Sequence, residues 1–326
     1  MDRREFLAAA AGPLVAGVVP SALAAPLGGT PLALVTADLE ASIVAVDVTT
    51  GKVLRRLETP ADPRSIESIG VVGALVAHTA RGELTLVDSD LRVRPVTGTF
   101  GAPRYTAVSP DRRFAYVTDS ERREVAVVDV RGRRVVGRVP VGGPARHLAI
   151  DRAGSRLWVA LGNKAPSLAV LSLADPQRPR VVGTIRPPFL AHDVGFTPGG
   201  RRVWVTSGDR GRLAIYDART GAVVRVLKGD APPQHVTFLG DRAFVTSGDD
   251  AVLRVHALDG RLLRSRPVPP GSYNVQHSDD DPRARRWVLT PSLSEGTLCT
   301  FSPRGALLHE LRVARSSHDA CFVVGT

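Results

Sequence analysis

One short motif returns along the whole chain: a bulky apolar residue, then a second apolar residue (Val in all but one copy), then Thr or Ala. It appears as Leu34-Val35-Thr36, Leu75-Val76-Ala77, Tyr116-Val117-Thr118, Trp158-Val159-Ala160, Trp204-Val205-Thr206, Phe244-Val245-Thr246 and, more loosely, Val288-Leu289-Thr290. Counted at the third residue, the spacings are 41, 41, 42, 46, 40 and 44. Around the third copy, four apolar runs follow one another: Thr106–Ser109, Phe114–Thr118, Glu124–Asp129 and Val135–Val141. Each is short, rich in Val and bounded by Pro, Asp, Gly or Arg, the pattern of a four-stranded antiparallel meander. A meander with two apolar faces and no helix to cover them must stack on copies of itself. Seven such units predict an all-β fold, a seven-bladed β-propeller of four-stranded antiparallel blades. We name the strands of a blade a to d, from the central channel outward.

The first unit begins at its second strand. Leu32–Thr36 aligns with strand b, Ser42–Asp47 with c and Val53–Leu57 with d, and no strand a precedes them. The missing strand is Ala320–Val323, which aligns with Thr106–Ser109. A C-terminal innermost strand is therefore expected to complete the N-terminal blade and remove its open edge.

Ser109-Pro110-Asp111, Tyr116-Val117-Thr118-Asp119, Val125–Asp129 and Val141-Gly142-Gly143-Pro144 follow one another in a set order. That order resembles the repeat of the YVTN-repeat β-propellers, and the resemblance runs from about Pro31 to the end of the chain. It implies a propeller with a binding or scaffold role. Some propellers ligate metals through His at the channel mouth, and propeller lactonases hydrolyse substrates in a central cleft. Neither motif carries over residue by residue onto this sequence.

Residues 1–25 read as a twin-arginine signal peptide: Asp2-Arg3-Arg4-Glu5-Phe6-Leu7, an apolar stretch to Val19, and Ala22-Leu23-Ala24 before the cleavage point. The apolar stretch is too short for a permanent membrane span. The mature protein is expected to be periplasmic or extracellular, soluble and monomeric, with residues 26–326 forming one propeller domain. Cys299 and Cys321 fall in strands at different distances from the channel, so two buried thiols are expected rather than a disulfide.

The net charge is +11, from 43 basic and 32 acidic residues, and all but Lys52, Lys164 and Lys228 of the basic residues are Arg. Many lie in a–b and c–d turns, among them Arg112, Arg113, Arg133, Arg201, Arg283 and Arg285. Those turns share one face, the bottom. The b–c loops on the top carry Asp38, Glu40, Asp119, Asp209, Asp249, Asp250 and Glu295. No aromatic stacking set interleaves with the Arg, which argues against nucleic acid as a partner. Asp47, Asp88, Asp129 and Asp217 end c strands and read as turn residues. Nucleophile, nucleotide and zinc-protease motifs are absent.

One set stands out. The two residues before each strand a are Arg104-Tyr105, Arg146-His147, His192-Asp193, Gln234-His235, Tyr273-Asn274 and His318-Asp319, with Ser65-Ile66 as an apolar departure in the second blade. They hold four of the eight His. A propeller gathers them at the top of one channel. Three readings stay open: polar residues solvating a channel mouth, a site for a small ligand or a partner protein, or a metal site. His147, His192, His235 and His318 are the candidate ligands, and neutral His would suit Zn or Cu. Without a metal, Arg104, Arg146 and Tyr105 would suit an anionic ligand. The expected function is a binding module acting through this mouth. The alternative is a metal-dependent hydrolase or redox enzyme using the same ring.

Overall fold

A computed structural model describes residues 31–278 and 286–324. The expected signal peptide, Arg283 and Arg285 lie outside the described residues. Seven four-stranded antiparallel sheets stand in a ring, and blade 1 is ordered Ala320–Val324, Pro31–Ala37, Ser42–Asp47, Lys52–Glu58. The C-terminal strand pairs with Pro31–Ala37 from Pro31↔Val324 to Val35↔Ala320, so the expected closure is present. Blade 3, the template for the repeat, runs Pro103–Val108, Phe114–Asp119, Glu124–Asp129 and Arg134–Pro140. Its strand a begins three residues before the sequence estimate, beyond an irregularity between Pro103 and Thr106.

The core is divided among the gaps between blades. Seven buried apolar clusters occur among the described residues, one at each blade-to-blade interface. The first apolar residue of each triplet supplies much of the volume. Tyr116 packs on blade 4, Trp158 on blade 5, Trp204 on blade 6 and Phe244 on blade 7, each at most 1% exposed. Truncating such an aromatic to Ala costs about 3–5 kcal/mol, because stacked sheets cannot collapse into the void.

The outermost strands face water; every side chain of Leu262–Pro267 is exposed. Six blades carry a bulge between strands c and d, as at Val127/Val128 and Ile215/Tyr216. A bulge twists the outer strand and spoils it as a template for another chain. The c-strand Asp residues act as turn formers: Asp47 accepts the N–H groups of Thr49 and Thr50, and Asp217 those of Arg219 and Thr220. Cys299 and Cys321 form no disulfide, and both are buried. Cys299 belongs to the cluster between blades 6 and 7, and Cys321 to the one between blades 1 and 2.

The polarity of the faces needs one correction. Asp119, read as a surface acid of the top, is fully buried. Its carboxylate accepts N–H groups of Gly101, Ala102 and Arg122 and so ties down the chain entering blade 3.

Candidate functional site

The Thr that ends the repeat motif is what positions the channel mouth. The Tyr105 N–H donates to Thr118 Oγ1 at 3.0 Å, and that hydroxyl donates to the Arg146 carbonyl of the next blade at 2.6 Å. Asp193, Thr206 and Gln234 repeat the relay at 3.0 and 2.6 Å. Thr118 and Thr206 each thus hold the residue entering their own blade and the residue entering the next.

This relay corrects the register of blade 2. Ser65 lies opposite Ala77, the triplet's third residue, where Tyr105 stands relative to Thr118. The pair there is Arg64-Ser65, and Ile66 is a core side chain 1% exposed. Ala77 has no hydroxyl to offer. Ser65 Oγ instead donates to the Arg104 carbonyl and makes the link to blade 3. The apolar departure disappears, and a third guanidinium joins Arg104 and Arg146 on consecutive blades.

The mouth residues separate into two levels. Tyr105, His147, Asp193, His235, Asn274 and Asp319 line the upper end of a central channel of about 1090 Å³, and their sequence neighbours Arg104, Arg146, His192, Gln234, Tyr273 and His318 do not. Three imidazoles from blades 4, 5 and 6 converge across the two levels. One ligand atom each from His147, His192 and His235 lies within 4.8 Å of the others. The His147 and His192 rings are 4.4 Å apart, those of His147 and His235 4.7 Å, and Tyr105 packs 4.1 Å from His147.

A hydrogen bond orients one of the three, and a carboxylate contact a second. His192 Nδ1 sits 3.0 Å from the Asn163 carbonyl, which can only accept, so Nδ1 carries the proton and Nε2 is left with a lone pair. His235 Nδ1 lies 3.4 Å from Asp193 Oδ2, which favours the same tautomer. His147 is 1% exposed, and neither of its ring nitrogens has a hydrogen-bond partner. Burial, then His192, His235 and Arg146, push His147 well below the ordinary imidazole range. Burial, then His235, push His192 down to about 4. A buried neutral imidazole with two idle nitrogens, beside two rings held with Nε2 free, fits a metal ion better than it fits an empty core.

Other expected residues are placed differently. His318 stands outside the triad, pushed down to about 3 by burial and then by Arg64, so a four-His set is not assembled. Gln234 and Tyr273 both engage Asp249, at 3.1 and 2.7 Å, and hold the b–c loop of blade 6. Asp193 and Asp319 are latches between blades. Asp193 Oδ2 accepts the Val236 N–H at 3.0 Å, and Asp319 Oδ2 accepts that of Ile66 at 3.0 Å. Losing such an acceptor would leave a buried N–H unpaired, at about 1–3 kcal/mol. Burial pushes the Asp319 carboxyl up to about 8, against the pull of the Ile66 and Ala320 N–H groups. Asn274 is buried at the channel wall, its carbonyl accepting from Thr290.

Sequence reasoning missed Arg64, Asn163 and the polar pairs lower on the wall. There Thr237 meets His277 at 2.7 Å, and Gln276 reaches Glu67 at 3.4 Å. Arg64 was one register position away from notice. Nothing in Leu161-Gly162-Asn163-Lys164 marks the carbonyl that orients His192.

Residues 143–320 match the family model described as outer membrane protein assembly factor BamB. No curated protein matches the sequence. Among solved structures, the periplasmic gluconolactonase of Pseudomonas aeruginosa is 18% identical with a TM-score of 0.70, over 91% of this chain and 99% of that one. A functionally unknown protein from Desulfotomaculum acetoxidans is 12% identical with a TM-score of 0.76, over 90% and 99%. Hydrazine synthase of Kuenenia stuttgartiensis is 15% identical with a TM-score of 0.66, over 79% and 88%. At such identities the likeness is one of fold.

Proposed function

The chain belongs to the β-propeller family whose model is described as outer membrane protein assembly factor BamB, and from that premise we propose an exported binding protein that holds a metal ion at its top mouth beside a small-ligand pocket. The observation that carries this reading is the convergence of His147, His192 and His235 within 4.8 Å. Three neutral nitrogen donors suit Zn or Cu. His192 and His235 would bind through Nε2 and His147 through either nitrogen. When bound, the ion would supply a fixed positive charge and Lewis acidity at the end of the channel. The experiment is elemental analysis of protein purified from its own export route, followed by chelation and titration with Zn²⁺ and Cu²⁺. About one ion per chain is expected. Absence of both metals in the purified protein, with no uptake on titration, sinks the reading.

A second reading, a metal-dependent enzyme, draws on one feature. Three protein ligands leave a tetrahedral ion one open position, as catalytic sites do. A similar structure, that of a gluconolactonase, makes lactone hydrolysis the first reaction to assay. Metal-dependent turnover would select the enzyme, and metal binding without turnover the binding protein.

Residues 26–326 are assigned to one monomeric domain, with repeats of the YVTN type on the strength of the motifs around Tyr116 and Val141. No helix among the described residues is long and apolar enough to cross a membrane. Export is assigned to the twin-arginine route on Arg3 and Arg4. Replacing both with Lys should leave the precursor in the cytoplasm, as read by fractionation and blotting; unchanged export would point to the general secretory route.

A further inference from the structure

Beside the imidazole triad, on the top face between blades 3 and 4, is a second cavity of about 370 Å³. Its walls include Arg104, Arg146, Ser120, Glu121 and Asn163. Asn163 connects it to the triad, since its carbonyl holds His192. The two guanidiniums enter from adjacent blades and have no ion pair among the described residues. Arg104 donates from Nε to Ser120 Oγ at 3.1 Å, which steadies the side chain and leaves both Nη groups free. The Nε of Arg146 is buried and has no acceptor. Burial, then the charge of Arg146, pull Arg104 below the ordinary guanidinium range.

Folding alone gives no reason to place two unpaired guanidiniums together. Arg202 and Arg254, by contrast, each meet a carboxylate, Asp217 at 2.6 Å and Asp230 at 2.6 Å. A buried guanidinium donor left unsatisfied costs more than a neutral one. An oxyanion bridging the pair would remove that cost, because the planar fork matches a carboxylate through two parallel hydrogen bonds. Glu121 on the wall decides the class. Two cations and one carboxylate leave the cavity with one net positive charge, which complements a monoanion and disfavours a phosphate dianion.

We infer that the ligand of this mouth is a small monocarboxylate, its carboxylate gripped by Arg104 and Arg146 and its body directed toward the imidazole triad. The inference rests on the reading of the mouth as a binding site, and not on the ion. The test takes the mature chain, stripped of metal by chelation, and titrates it calorimetrically with three probes sharing one body: benzoate, benzamide and phenyl phosphate. Benzoate should bind about ten-fold more tightly than benzamide or better, and phenyl phosphate no more tightly than benzoate. Arg104→Gln and Arg146→Gln should each weaken benzoate by about ten-fold or more. Arg104→Lys and Arg146→Lys guard against misfolding; they keep the charge without the fork, and intermediate affinity is expected at unchanged melting. Equal binding of benzoate and benzamide, tighter binding of phenyl phosphate, or undiminished benzoate binding in both Gln variants overturns the inference. Zn²⁺ titration of the same proteins separates the two readings. Zinc affinity should survive in the Arg variants. If zinc fails to bind the wild type while the benzoate pattern holds, the metal centre is lost and the carboxylate site stands.

Discussion

Replacing His192 and His235 together with Ala is expected to lower zinc or copper affinity by far more than 100-fold while moving the melting temperature by only a few degrees. Removing a partner that merely orients a metal ligand costs about 10–100-fold, and this variant removes two of three ligands outright. The small effect on stability follows from what the two rings touch. His192 is only partly buried, and its one hydrogen bond goes to a loop carbonyl. His235 leans on Asp193, whose link to blade 6 is made to the Val236 N–H and survives the change. The main-chain bonds at both positions, His192 N–H to the Thr206 carbonyl and Thr246 N–H to that of His235, also remain. Titration of the metal-free variant beside the wild type, with calorimetric melting of each, is the measurement. Undiminished metal affinity would move the site away from this mouth.

Deleting Asp319–Thr326 should abolish cooperative unfolding and send the protein into aggregates. The strand it removes serves two interfaces at once. Ala320 and Phe322 belong to the cluster between blades 7 and 1, and Cys321 and Val323 to the one between blades 1 and 2. Burying a Val- or Phe-sized side chain is worth about 1.5–3 kcal/mol, and Asp319 also carries the latch to Ile66. Together these losses rival the whole net stability of a typical domain, about 5–15 kcal/mol. The exposed edge of Pro31–Ala37 would then offer unpaired backbone groups to another chain. Thermal unfolding and light scattering of the truncated protein test this; an unchanged melting curve would mean that closure does not depend on this strand.

The fold was legible because a propeller repeats its chemistry. The residue that fills the blade gap and the Thr that ties the mouth stand two apart in the sequence, at Tyr116 and Thr118 as at Trp204 and Thr206. The closing strand was legible as a missing partner before Leu32. The triad was legible in outline, since three His preceded strand a in consecutive units. What could not be read was which polar residues face inward and which bind the scaffold. Gln234 and Asp319 look as functional in sequence as His147, yet one ties a loop and the other latches a blade. The departure at Ser65-Ile66 arose because Ala77 breaks the pattern that sets the count, and the compensating serine hydroxyl is visible only in three dimensions. The Asn163 carbonyl has no side-chain signature at all.

The triad joins blades 4, 5 and 6, whereas the two ends of the chain meet in blade 1, on the far side of the ring. In blade 1 strands from opposite ends of the chain, Pro31–Ala37 and Ala320–Val324, are held together without a covalent link. An ion seated among His147, His192 and His235 stabilises the folded state by mass action. If the barrier to opening is crossed by peeling blade 1, the ion is still bound at that barrier and does not slow it. Its stabilisation then appears as faster re-closure rather than as a longer lifetime of the closed ring.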